Sequence, residues 1–162
     1  MFSFARRRTP RNPAVHKVIQ RFLNAVNPDL AKFDDESRCD YRSHRTVPVL
    51  LAPHEDGISL DEACYALTKN LSVRGLALVL PQPFRAERVA VGFWFAEQAQ
   101  FVSGEVRQNV PLGGGFWQLG VEVTQVLNPD DSSEVKRLLP LAVRLDPHLN
   151  CEALAAAQLV QL

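Results

Sequence analysis

The chain has 162 residues, 46% of them hydrophobic and 22% charged, the make-up of one globular domain with a terminal extension. Eighteen basic residues balance eighteen acidic ones, so no global field draws in nucleic acid or an anionic membrane. No apolar run approaches the roughly 20 residues of a spanning helix. Cys39, Cys64 and Cys151 are odd in number and far apart, which excludes metal-ligand spacing and points to free thiols in a reducing compartment.

The balance of charge is uneven along the chain. Between Met1 and Pro28 stand Arg6, Arg7, Arg8, Arg11, Lys17 and Arg21, with no acid among them. A solvated basic arm accounts for this, and a tail that meets an anionic partner is the alternative. Met1 to Phe4 is too short for the apolar core of a signal peptide, so the expected location is cytoplasmic. Pro13 suits the first turn of a helix. Val15, Val18, Ile19, Phe22, Leu23 and Val26 recur at three- and four-residue spacing, one apolar stripe that Asn27-Pro28 ends. The stripe packs on the rest of this chain or docks on a partner. Asp34-Asp35-Glu36 reads as a solvated acidic turn.

From Arg45 the helical period gives way to alternation. Strands are expected over Val47–Ala52, Ala63–Thr68, Leu76–Leu80, from Val89 through Phe95, over Phe101–Val110 and over Phe116–Leu127. His54–Gly57 and Gly113-Gly114-Gly115 are turns between them. Trp117, Leu119, Val121 and Val123 share one face of the last strand. Trp94 lies opposite Val91 and Phe93, so it is covered by a terminal helix or belongs to a docking surface. Six short strands with no helix between them argue for an antiparallel barrel or sandwich. After Asn128-Pro129, Ser132 or Ser133 caps a helix that Pro140 stops or kinks. Asn150 caps a last helix, Cys151–Gln161.

The residues with chemical content sit around the second and third strands. Asn70-Leu71-Ser72-Val73-Arg74-Gly75 has N-x-S-x-x-G spacing. In isolation it is a turn, with Asn and Ser bonding to nearby backbone and Gly supplying a positive φ. Its context is richer: a strand on each side and an arginine cluster, Arg38, Arg42 and Arg45, upstream. Guanidinium groups bond phosphates bidentately and stack on purine faces. The barrel then closes with Gln118-Leu119-Gly120-Val121-Glu122-Val123.

With these residues the chain resembles the PilZ domain, a small bacterial barrel whose usual ligand is cyclic di-GMP; the likeness runs from Arg38 to Leu127. It implies a six-stranded antiparallel Greek-key β-barrel of split-barrel type with N-terminal and C-terminal helices. The segments would be a basic arm and helix over 1–37, the barrel over 38–127 and a helical extension over 128–162. In the family, the residues at Asn70 and Ser72 contact a guanine, and the glycine at Gly75 lets the backbone turn beneath it. The family's arginine pair falls on Arg38 and Arg42 by R-x-x-x-R spacing. By distance to the first strand, Arg45 is the second arginine and the first position holds Tyr41. The implied function is a non-catalytic cyclic di-GMP receptor and effector. It needs no cofactor and couples the nucleotide to a protein partner in motility, adhesion or exopolysaccharide output. A PilZ-like adaptor that has lost the nucleotide is one alternative, and a flavin-dependent split-barrel enzyme another. His16, His44, His54 and His148 show no metal spacing.

Overall fold

The computed structural model describes residues 13–26, 46–72 and 74–149. The basic arm, the acidic turn and the final helix expected over Cys151–Gln161 lie outside the described residues.

Six strands form the body: β1 (Pro48–Pro53), β2 (Cys64–Ser72), β3 (Gly75–Leu80), β4 (Arg88–Phe95), β5 (Gln98–Gly113) and β6 (Phe116–Leu127). They close into a barrel in the order β1-β2-β3-β6-β5-β4, with every neighbour antiparallel. Closure leaves no long sheet edge to recruit another chain. The link from β3 to β4 crosses one end of the barrel in Greek-key fashion. Pro81 and Pro83 stiffen it, and Phe84 turns into the barrel core. Val49, Leu51, Leu71, Leu76, Leu78, Val91, Phe93, Leu119 and Val121 fill the interior. Each such side chain contributes roughly 1.5–3 kcal/mol by leaving water.

Helix α1 (Pro13–Val26) closes the opposite end. Val15 and Ile19 are buried in the barrel core and Val18 packs beside them, so this part of the stripe is spent on the chain's own barrel. The Arg21 guanidinium lies 5.7 Å from the centre of the Phe95 ring, a cation–π contact at the rim. Helix α2 (Ser133–Val143) lies against the outside of β1, β4 and β5. Ser132 is its cap, its hydroxyl accepting from the Val135 amide at 3.4 Å. Val135, Leu138 and Ala142 pack on Leu50, Ala52, Ala90 and Phe101, and Trp94 joins them. Trp94 is thus covered by a terminal helix, one of the two fates its position allows.

The structure corrects three expectations. Of the two fates expected at Pro140 the stop is excluded, since α2 runs on through it to Val143. The carbonyl its ring leaves without its helical partner belongs to Lys136, an exposed residue. Strand β2 does not end at Thr68. Lys69 is an extra residue in a β-bulge, the register stepping from Thr68↔Leu78 to Asn70↔Ala77, and pairing resumes to Ser72↔Gly75. Strand β5 runs well past Val110, to Gly113.

Candidate functional site

The bulge at Lys69 shifts β2 by one residue, and this places the motif. Leu71 and Leu76 point into the core. Asn70, Ser72 and Gly75 therefore fall on the outer face, at the end of the barrel that α1 closes. Asn70 and Ser72 end β2 and Gly75 opens β3, so the motif is the last pairing of a tight hairpin and not a free loop. The Ser72 hydroxyl donates to the Gly75 carbonyl at 3.3 Å and accepts the Arg74 amide at 3.3 Å. It holds the reversal in shape and keeps acceptor capacity toward solvent. Val123 of β6 donates to the Arg74 carbonyl at 3.2 Å, tying the hairpin to the next strand.

Gly75 has a different role from the one its turn context suggests. Its φ is not positive, unlike those of Gly113, Gly114 and Gly115. A Cβ there would overlap the carbonyl oxygen of Val121. Glycine is required because β6 passes directly beside it.

Cross-strand register adds residues that the sequence does not single out. Asn70 pairs with Ala77, Ala77 with Gly120, and Gly120 with Gln108. The row below runs Ser72, Gly75, Glu122, Glu105. Two small residues, Ala77 and Gly120, thus floor a flat platform with Asn70 and Ser72 along one side. Lys69 stands at its upper corner, its ammonium 2.7 Å from the Gln118 side-chain oxygen. The acids at the lower edge are neutralised: Arg107 bonds Glu122 at 2.7 Å and Glu105 at 2.6 Å. The Glu122 hydrogen bond holds the Arg107 guanidinium above its ordinary pKa. The result is a shallow, uncrowded surface whose polar groups suit the edge of a planar heterocycle. Arg38, Arg42 and Arg45 lie outside the described residues. The described chain re-enters at Thr46 and begins β1 at Pro48, beside Leu67 of β2.

A second concavity, about 360 Å³, lies where α2 meets the barrel, lined by His54, Ile58, Arg88, Gln125, Asn128 and Glu134 among others. There His54 Nδ1 and Ser103 Oγ are 3.0 Å apart. Ser103 is only 1% exposed, so the pair braces the seam and its hydroxyl is out of a substrate's reach. Burial and the nearby Arg88 push the His54 pKa below its ordinary value, against opposing pulls from Glu134 and Glu55. No group of three or more potential metal ligands occurs among the described residues.

The molecule is a barrel closed by helices, with an N-x-S-x-x-G hairpin on its open face. The sequence model of the PilZ domain matches residues 36–140. This chain belongs to the PilZ domain family. Its members are binding and effector modules and not a class of enzymes. The match covers the barrel and most of α2. No curated protein sequence matches the chain. Among solved structures, the PilZ chain is similar to that of the Bacillus subtilis inhibitor of motility (MotI/DgrA), at 20% identity and a TM-score of 0.42. That likeness covers 67% of this chain and 50% of the other, so the chain spans half the length of that protein.

Proposed function

We propose that this PilZ domain is a bacterial, cytoplasmic receptor for cyclic di-GMP. Arg38, Arg42 and Arg45 would hold the phosphates and stack on the purines. Asn70 and Ser72 would bond a guanine edge, with Gly75 keeping the floor clear. The observation that carries the reading is the N-x-S-x-x-G hairpin bordering a platform floored by Ala77 and Gly120. The arginines would reach it from the segment just ahead of β1, whose first residue, Pro48, pairs with Leu67 of β2. Ligand would gather the arginine segment and shift α1, gating contact with a protein partner in motility, adhesion or exopolysaccharide output.

Calorimetric titration with cyclic di-GMP tests the reading. Wild type binds. Ser72→Ala and Arg42→Ala each lose about 1.5–3 kcal/mol, roughly tenfold or more in affinity, because each removes a partner of a charged or desolvated group. Hydrogen exchange should show ligand-induced protection in both the arginine segment and α1. Protection confined to the Asn70–Gly75 hairpin means a static site.

A second reading rests on the arginine spacing. Three extra residues separate the Arg38/Arg42 pair from β1, and the alternative register places Tyr41 at the first position. This favours an adaptor that binds a protein without nucleotide. A wild-type chain that gives no heat at high micromolar cyclic di-GMP decides for it.

A further inference from the structure

The upper half of the β5–β6 hairpin is built unlike the rest of the barrel. Strand β4 pairs with β5 only as far as Glu105, and β3 pairs with β6 only as far as Trp117. The tip from Leu112 to Phe116 therefore projects past both neighbours. Gly113, Gly114 and Gly115 turn it with three successive positive φ values, 100°, 62° and 82°. A Cβ on Gly113 or Gly115 would meet no atom within 4 Å, which is the signature of a turn standing free in solvent.

This projecting end is apolar. Val110, Leu112 and Phe116 are 36%, 42% and 50% exposed, half of the large exposed hydrophobic residues among the described residues. Val110 lies opposite Gln118, two residues from Phe116, so both side chains stand on the outer face. The same cross-strand row continues through Val79 to Leu67, itself 47% exposed. From Gln108 to Val121 the chain carries no charge at all. The nearby acids, Glu55, Glu87, Glu105 and Glu122, sit at the level of Val106 or lower, Glu55 accepting from the Glu87 amide and the last two tied to Arg107. At the root of the tip are cations. Lys69 is held against Gln118, and the exposed Arg85 belongs to the loop whose Phe84 carbonyl accepts from Asn109 of β5.

We propose that the β5–β6 tip inserts into an anionic lipid surface, Leu112 and Phe116 entering the headgroup–acyl boundary and Lys69 and Arg85 meeting the lipid charge. The charge pattern selects the occupant: an acid-free apolar tip above a cationic collar complements a negatively charged bilayer. The shape agrees, for the feature is a convex point on glycine hinges and not a groove that would receive a helix or strand. Phe and Leu are among the side chains that interfacial segments bury at that depth, and Leu112 and Phe116 are of that kind. The proposal does not depend on nucleotide binding.

The test uses the full chain and vesicles of phosphatidylcholine with and without phosphatidylglycerol. Flotation should show binding to the phosphatidylglycerol vesicles, much weaker on phosphatidylcholine alone. In a Trp94→Phe background, which leaves Trp117 as the sole tryptophan, emission should shift to the blue on binding. Leu112→Ser with Phe116→Ser should weaken binding roughly tenfold or more, as the two apolar anchors are lost. Both residues are solvent-exposed, so circular dichroism should match wild type. Three results overturn the proposal. One is no binding to either vesicle. Another is binding that the double substitution leaves intact, which assigns the contact to the basic residues before Pro13. The third is a concentration-dependent dimer in vesicle-free buffer that the double substitution abolishes, which assigns the tip to a second copy of the chain.

Discussion

The barrel has two outer faces, and they are made of different residues. On β1 and β4 nearly every position is buried, inward and outward alike. Leu50, Ala52, Ala90 and Trp94 point outward there and are roofed by α2. On β2, β3 and β6 burial alternates with the pleat. The outward positions are Asn70, Ser72, Gly75, Ala77, Gly120 and Glu122, and no described element covers them. The core beneath is the same on both sides. What differs is whether the second face of each strand is asked to hold a helix or to stay open to a ligand. A continuous apolar run marks the first case and alternation marks the second.

The largest expected effect separates these faces directly. Leu138 is 1% exposed at the centre of the α2 contact. Leu138→Ala should cost about 2–5 kcal/mol, from lost burial plus the cavity left beneath the helix. Leu67→Ala, on the open face, should stay within about 0.5 kcal/mol. Urea denaturation measures both. Comparable losses at the two sites would mean that the open face is also packed, and the contrast would fall.

A smaller effect is expected at the motif hairpin. Gly75→Ala sets a methyl group against the Val121 carbonyl, and relief requires β3 and β6 to part. The cost should be about 1–3 kcal/mol, as for other overpacked sites. If stability is unchanged, β6 does not run as close to the hairpin as the structure has it, and the platform floor must be redrawn.

The same two faces explain what is legible in the sequence. Strand β6 is readable because its alternation is unbroken from Gln118 to Thr124. Strand β2 reads short because the bulge at Lys69 puts two consecutive residues on the outside, and a two-residue period loses phase there. Pro140 looks like a helix stop because a sequence does not reveal that Leu138 and Ala142, on either side of it, both pack on the barrel. Asn70, Ser72 and Gly75 stand out by spacing along the chain. Ala77, Gly120 and Gln108 do not, since only the register of four strands brings them beside Asn70. The brace between His54 and Ser103 joins residues 49 positions apart and carries no local signal.

The smallest effect lies at His54, on the seam where the roofed face ends. Its imidazole contacts Ser103 of β5 and is faced by Arg88 of β4, Glu134 and Asp131 from α2 and its leading turn, and Glu55 of its own loop. Glu134 also accepts from the Ile58 amide at 3.2 Å, so the loop carrying His54 is part of what holds α2 in place. Burial is the main force depressing the His54 pKa, with Arg88 adding to it. The sign follows from proton counting. A depressed folded pKa means that the unfolded chain binds the proton more readily, so stability rises with pH. The His54 contribution is fully present above the ordinary value of about 6.5 and is lost as pH falls through it toward the lower folded value. His54→Gln retains a hydrogen-bonding partner for Ser103 and removes the titration. Urea midpoints between pH 5 and pH 8 should therefore show a shallower acid-side decline in the variant than in wild type. Hydrogen exchange should localise the wild-type loss to α2 before the barrel strands open. If the two pH profiles superimpose, His54 is solvated in both states and the seam is held by Leu138 and its apolar neighbours alone.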